Sequence, residues 1–231
     1  MRFLRRGCGI RDLMIIDDNF TLDKQRLFKI CDTMVAERMD YTWYCQGHVK
    51  FAAEDRLQRT RAAGCWFLEL GIGSGCDRIL REIKKGTSKE EVAGAVQRAR
   101  AAGLKVKGNF IFGLPGETRE SLEETIQFAL SIPLTHFQQN FLTAWPGCEL
   151  SRTAHNYGVC ETERDRLAHQ RIAFVPHGLT KEDLTEASKS AFKRFYLRPR
   201  IVLGFAGAVT SPRGIRMLWL GLITLCKSIT R

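Results

Sequence analysis

The chain has 231 residues, enough for one sizeable domain and a small appendage, with an ordinary balance of 44% apolar and 26% charged residues. It has no run of eighteen apolar residues, and its basic start is not followed by an apolar core and cleavage site, so neither a transmembrane helix nor a secretory signal is predicted. Eight cysteines without a CxxC or CxxxCxxC group exclude a spacing-defined metal site and predict a cytoplasmic protein with reduced thiols, while the net charge of +11 fits either a solvated basic surface or an anionic partner.

The predicted elements alternate. Residues 13–16 form a short apolar strand that ends at Asp17, Asp18 and Asn19. A helix over 23–38 places Leu27, Ile30, Cys31, Met34 and Val35 on one face. A strand over 43–49 and a helix over 52–63 follow, the helix stopped by Gly64. The third strand, 65–70, runs into Gly71, Gly73 and Gly75. Ser88 with Glu91 three residues on is a capping box for a helix that Gly103 ends. The fourth strand spans 104–112, the turn is Gly-Leu-Pro-Gly at 113–116, and a helix over 119–130 follows with Thr118 as its cap. A fifth strand covers 136–142, and one more helix covers 180–195, capped by Thr180 with Asp183 at its third position.

Such alternation predicts a parallel sheet with helices outside it, and ligands in such sheets sit at the carboxyl ends of the strands. The unusual residues cluster at those ends: 17–19, 71–75, 113–117 and 143–148. Asp and Asn at 17–19 suit an Asx turn or helix cap, or the binding of a ligand ammonium. The glycines of LELGIGSG (68–75) suit a tight strand-to-helix turn, or close approach of a nucleotide. That string also resembles the first motif of Rossmann-type S-adenosylmethionine (SAM) methyltransferases. That family expects a second strand ending in an acid about 20 residues on; residues 84–91 read as a turn opening a helix, so this fold stands as the alternative.

Taken in order, IDDNFT (16–21), AGC (63–65), GIGSG (71–75), ILREIKKGT (79–87), GNFIFGLPGET (108–118), LTAWPGCEL (142–150) and the late FYLRPR (195–200) resemble radical SAM enzymes. The subgroup resembled usually carries an N-terminal cobalamin-binding domain. The resemblance implies an α/β fold, a partial (β/α)6 TIM-like barrel entered at its second strand, over residues 1–150, with a helical C-terminal extension over 151–231. In intact relatives a CxxxCxxC loop holds a [4Fe–4S] cluster, which chelates SAM and cleaves it to a 5′-deoxyadenosyl radical, or supports cobalamin-assisted methyl transfer. Carried over residue by residue, Asp17, Asp18, Asn19, Gly71, Gly73, Ser74, Asn109, Phe112, Gly113 and Pro115 are the expected SAM-binding positions.

The sequence departs from that family at two points. No three cysteines have the cluster spacing, and Gly73 stands where the GIESG motif has a glutamate. A fragment, a decayed non-catalytic paralogue and one half of a split enzyme all fit. The expectation is SAM as the family's ligand, no cluster or cobalamin held by this chain, little or no radical chemistry, and a small, lipid-like substrate in intact relatives. No zinc finger, Arg/Gly tract or RNA-binding aromatic motif supports a nucleic-acid partner. The tail carries apolar stretches over 201–226, broken at Ser211 and Pro212 and preceded by Lys189, Lys193, Arg194, Arg198 and Arg200; it suits either a packed helix pair or peripheral contact with anionic membrane.

Overall fold

The computed structural model describes residues 1–160 and 171–206. Five parallel strands form one sheet in the order in which the chain makes them: β1 (Asp12–Ile15), β2 (Thr42–Gly47), β3 (Cys65–Gly73), β4 (Lys105–Phe112) and β5 (His136–Phe141). β1 and β5 are the two edges, so the barrel-like sheet is open. The sequential order removes the Rossmann-type alternative. A doubly wound sheet reverses direction at a switch point, whereas here every crossover steps one strand the same way.

Around the sheet run α1 (Arg2–Arg6), α2 (Lys24–Ala36), α3 (Glu54–Ala62), α4 (Asp77–Glu82), α5 (Lys89–Ala101), α6 (Arg119–Ser131), α7 (Glu149–Thr153), α8 (Lys181–Tyr196) and α9 (Pro199–Ala206). An antiparallel ribbon pairs β6 (Gly158–Cys160) with β7 (Phe174–Pro176). Local sequence explains most helix starts. Asp23 accepts from Arg26 N, and Ser88, Thr118 and Thr180 each close a capping box, with Glu91, Ser121 and Asp183 as partners. Such a cap contributes about 1 kcal/mol.

Strand alternation sends one set of side chains into the helix layer. Leu68, Leu70, Ile72, Val106, Phe110, Phe112 and Phe137 join Leu27, Leu57, Val96 and Ile126 in a single core. Trp43 is buried there, its indole N–H donating to Ala63 O at 2.7 Å. Leu184, Ala191 and Phe195 of α8 and Ile201 of α9 belong to the same core, so the helices beyond residue 150 pack on the sheet.

Three elements depart from the sequence expectations. β3 continues to Gly73 because the glycine stretch stays hydrogen-bonded to β4 across a register shift between Gly71 and Gly73. The short helix α4 follows it, where only a turn was expected before Ser88. The ribbon β6–β7 lies within the segment read as helical. No helix among the described residues is long and apolar enough to cross a membrane. The apolar tail beyond residue 206 lies outside the described residues.

Candidate functional site

The second side-chain set of the strands forms two rows across the sheet. Register places Gln46, Glu69, Lys107 and His136 side by side, with Gly71, Asn109 and Gln138 one step nearer the carboxyl ends. The first row is held by charge. Lys107 Nζ lies 3.0 Å from Glu69 Oε2 and donates to Gln138 Oε1 at 2.8 Å. Glu69 is buried, so this pair is shielded from solvent screening. Asn109 Nδ2 reaches Glu69 Oε2 at 3.5 Å, a long contact, and Asn109 Oδ1 is buried with no hydrogen-bond partner. His136 sits edge-on to the Phe67 ring at 5.0 Å. Burial, with Lys105 and Lys107 nearby, drives its pKa down to about 4, so it is neutral at pH 7.

The strand end above these rows is formed by glycines and a lysine. Gly73 has φ +86, a left-handed conformation open to glycine at little cost. A Cβ on Gly71 would stand 3.7 Å from Lys85 Nζ, an ordinary van der Waals distance, so the ammonium lies directly against this strand end. Lys85 is half-buried, its pKa is lowered by that burial, and no carboxylate among the described residues pairs with it. His48, at the end of β2, is likewise lowered by burial, then by Lys85 and Lys50. A partly desolvated ammonium without a counter-ion is costly, and an anionic ligand group would relieve that cost. In sequence, a lysine in a charged turn looks like solvated surface; the burial of Lys85 and its position beside Gly71 arise only on folding.

The loop after β4 is built around a buried acid. Glu117 Oε2 accepts from Gly113 N at 2.6 Å and Leu114 N at 3.1 Å, while Oε1 is buried with no hydrogen-bond partner. Burial pushes its pKa up to about 8, against the opposing pull of those N–H groups and of Arg78. Gly113 takes φ +82, and Pro115 is buried behind it. Glu117 thus fixes the loop that carries Gly113 and Pro115.

The ten expected positions separate into groups. Gly71 and Gly73 lie beside Lys85, Asn109 is the register partner of Gly71, and Gly113 and Pro115 belong to the loop after β4. Ser74 stands apart. It is buried, its hydroxyl lies 3.0 Å from Thr125 Oγ1 and accepts from Cys76 N, and so it ties the strand end to α6. Phe112 is buried in the helix-side core, since strand alternation turns it away from the face that bears Asn109. Asp17 accepts from Asn19 N at 2.9 Å and pairs with Arg26 at 2.8 Å, Thr21 donates to Asn19 Oδ1, and Asp18 remains exposed.

A [4Fe–4S] cluster of the kind the resemblance implies needs three converging thiolates. The donor set does not fit. Among the described residues no three Cys, His, Asp or Glu side chains converge as metal ligands. Cys31, Cys45 and Cys65 are buried in the helix-side core. Cys45 is pushed well above the usual thiol range by its hydrogen bond with Cys65 and by burial, and Cys31 is pushed up to about 11 by burial, so both favour the thiol over the ligating thiolate. Cys8 and Cys148 are exposed.

An open sheet of five parallel strands in sequential order, with helices packed outside it, is a fold of the TIM-barrel-like class. The chain belongs to the radical SAM superfamily: that family's model matches residues 2–129, more than half its length. It is 32% identical over 84% of its length to an uncharacterized methyltransferase of Pyrococcus horikoshii, of which it covers 43%. Its fold is similar to that of the cobalamin-dependent SAM radical enzyme OxsB, with TM-score 0.64 and 12% identity over 95% of this chain and 39% of that one. It is also similar to the radical SAM methyltransferase TsrM of Kitasatospora setae, solved with cobalamin and a [4Fe–4S] cluster, with TM-score 0.58 and 20% identity over 78% of this chain and 38% of that one. The chain spans less than half the length of each of these proteins.

Proposed function

We propose that this chain binds SAM at the carboxyl ends of β3 and β4, as a module related to the cobalamin-dependent radical SAM enzymes, and that its own residues do not assemble the [4Fe–4S] cluster that cleaves SAM. The observation that carries the reading is Lys85: a half-buried ammonium without a carboxylate partner, lying against the strand end at Gly71 and Gly73, the second of which takes a left-handed φ of +86. Lys85 takes the carboxylate of the methionyl group. The free Oδ1 of Asn109 accepts from a hydroxyl or amino group of the nucleoside. The loop at 113–116, held by Glu117, borders the adenine through its backbone. In relatives a bound cluster supplies the electron that breaks the SAM carbon–sulfur bond; here the role is non-catalytic binding, because no three potential ligands converge among the described residues.

Equilibrium dialysis with radiolabelled SAM tests the binding, and anaerobic iron–sulfide reconstitution followed by a UV–visible spectrum tests the cluster. SAM should bind, Lys85→Met should weaken it about tenfold, the value of one lost charge-assisted contact of about 1.4 kcal/mol, and no stable [4Fe–4S] absorption should form. Equal binding by wild type and Lys85→Met removes the proposed site; a stable cluster with SAM cleavage removes the non-catalytic role.

A further inference from the structure

The positive charge of this chain is concentrated at one end. Residues 187–231 contain nine lysines and arginines and no aspartate or glutamate, which leaves only two of the net +11 charges to the first 186 residues. The described part of this stretch shows where some of that charge sits. At the corner between α8 and α9, Arg200 lies close enough to Arg100 and Arg198 to lower the pKa of both, after burial, and no carboxylate among the described residues pairs with any of the three. Arg198 is turned inward over the Phe195 ring at 4.0 Å and donates to Leu130 O at 2.8 Å, and Ile201 is buried, so the corner is fastened to the sheet. The outer surface of the same corner is aliphatic: Leu197 is 52%, Val202 50% and Leu203 70% exposed.

We infer that the α8–α9 corner is a docking surface for an anionic lipid bilayer. Exposed leucine and valine on a short helix gain by entering the boundary between headgroups and acyl chains, and flanking cations gain from anionic headgroups; each signal is weak and the pair together is effective. Nucleic acid would use the same cations, but it draws stacking from aromatic side chains and gains nothing from three solvent-facing aliphatic ones. The aliphatic face therefore selects lipid. The surface is built on α8 and α9 rather than on strand ends and does not depend on SAM binding.

Flotation of the full chain with vesicles decides the matter. At 0.1 M salt it should float with vesicles of phosphatidylcholine and 30% phosphatidylglycerol and not with phosphatidylcholine alone. The double variant Val202→Glu, Leu203→Glu should lose at least tenfold in vesicle affinity, and Arg200→Glu severalfold. Both side chains of the double variant are exposed, so its circular dichroism and melting temperature should match the wild type. No flotation with anionic vesicles overturns the inference, as does flotation that survives the double variant. Tight binding of a single-stranded RNA probe, unchanged in the double variant and without vesicle binding, assigns the cations to nucleic acid and likewise overturns it.

Discussion

Two strand ends of this sheet carry acids at the same level of the fold and use them in opposite ways. After β1, Asp17 closes an Asx turn on Asn19 and pairs with Arg26 at 2.8 Å, in a partly exposed turn at the edge of the sheet. After β4, Glu117 is buried beneath its loop, binds two backbone N–H groups with one oxygen and leaves the other without a partner. The first acid is locally satisfied and screened, so little depends on it. The second organises its loop and has its own ionisation shifted by the surroundings. An acid-rich strand end is therefore a poor guide to a binding site; burial and the count of satisfied atoms discriminate better.

The widest separation between the two ends should come from truncating each acid. Glu117→Ala orphans the Gly113 and Leu114 amides in a buried loop, at about 1–3 kcal/mol each, and urea denaturation should show a loss of about 3 kcal/mol. A loss below about 1 kcal/mol would mean the loop is held by something else. A smaller effect is expected from pH. The folded pKa of Glu117, about 8, lies above its ordinary 4.5, so the folded state retains a proton that the unfolded chain releases. Stability from this group is complete below about pH 4.5, falls as pH rises toward 8 and then levels off, with a slope of up to about 1.4 kcal/mol per pH unit. Thermal melts of wild type and Glu117→Gln between pH 5 and 8.5 should diverge in that sense, the variant lacking the slope; parallel curves would remove the buried-acid reading. The smallest effect is expected at β1. Asp17→Ala should cost no more than about 1 kcal/mol in the same urea assay, because its ion pair is partly exposed and its turn is short; a loss equal to that of Glu117→Ala would erase the contrast.

Much of the scaffold was legible in the sequence because it depends on local rules. Ser88, Thr118 and Thr180 declare their helices through capping, and the alternation at 104–112 gives β4 and its facing. The site was legible only where a residue type already implies geometry, as at Gly73 and Gly113, whose positive φ values suit glycine. Lys85, Glu69 and Glu117 were not, because a charged residue shows its role only through what folding packs against it. Ser74 and Phe112 mark the converse: family position pointed outward, while strand direction and the Thr125 contact turn them into the interior. The ribbon β6–β7 escaped because strands of three residues carry too little pattern to read.

The central claim, that SAM is held between β3 and β4 by Lys85 and the Glu117 loop, is tested most directly by hydrogen–deuterium exchange of the chain with and without SAM. Slowed exchange at residues 71–75, 83–87 and 113–117, with little change at 17–19 and loss of the protection in Lys85→Met, is the predicted result. Protection confined to 17–19, or none at any strand end at saturating SAM, would contradict it.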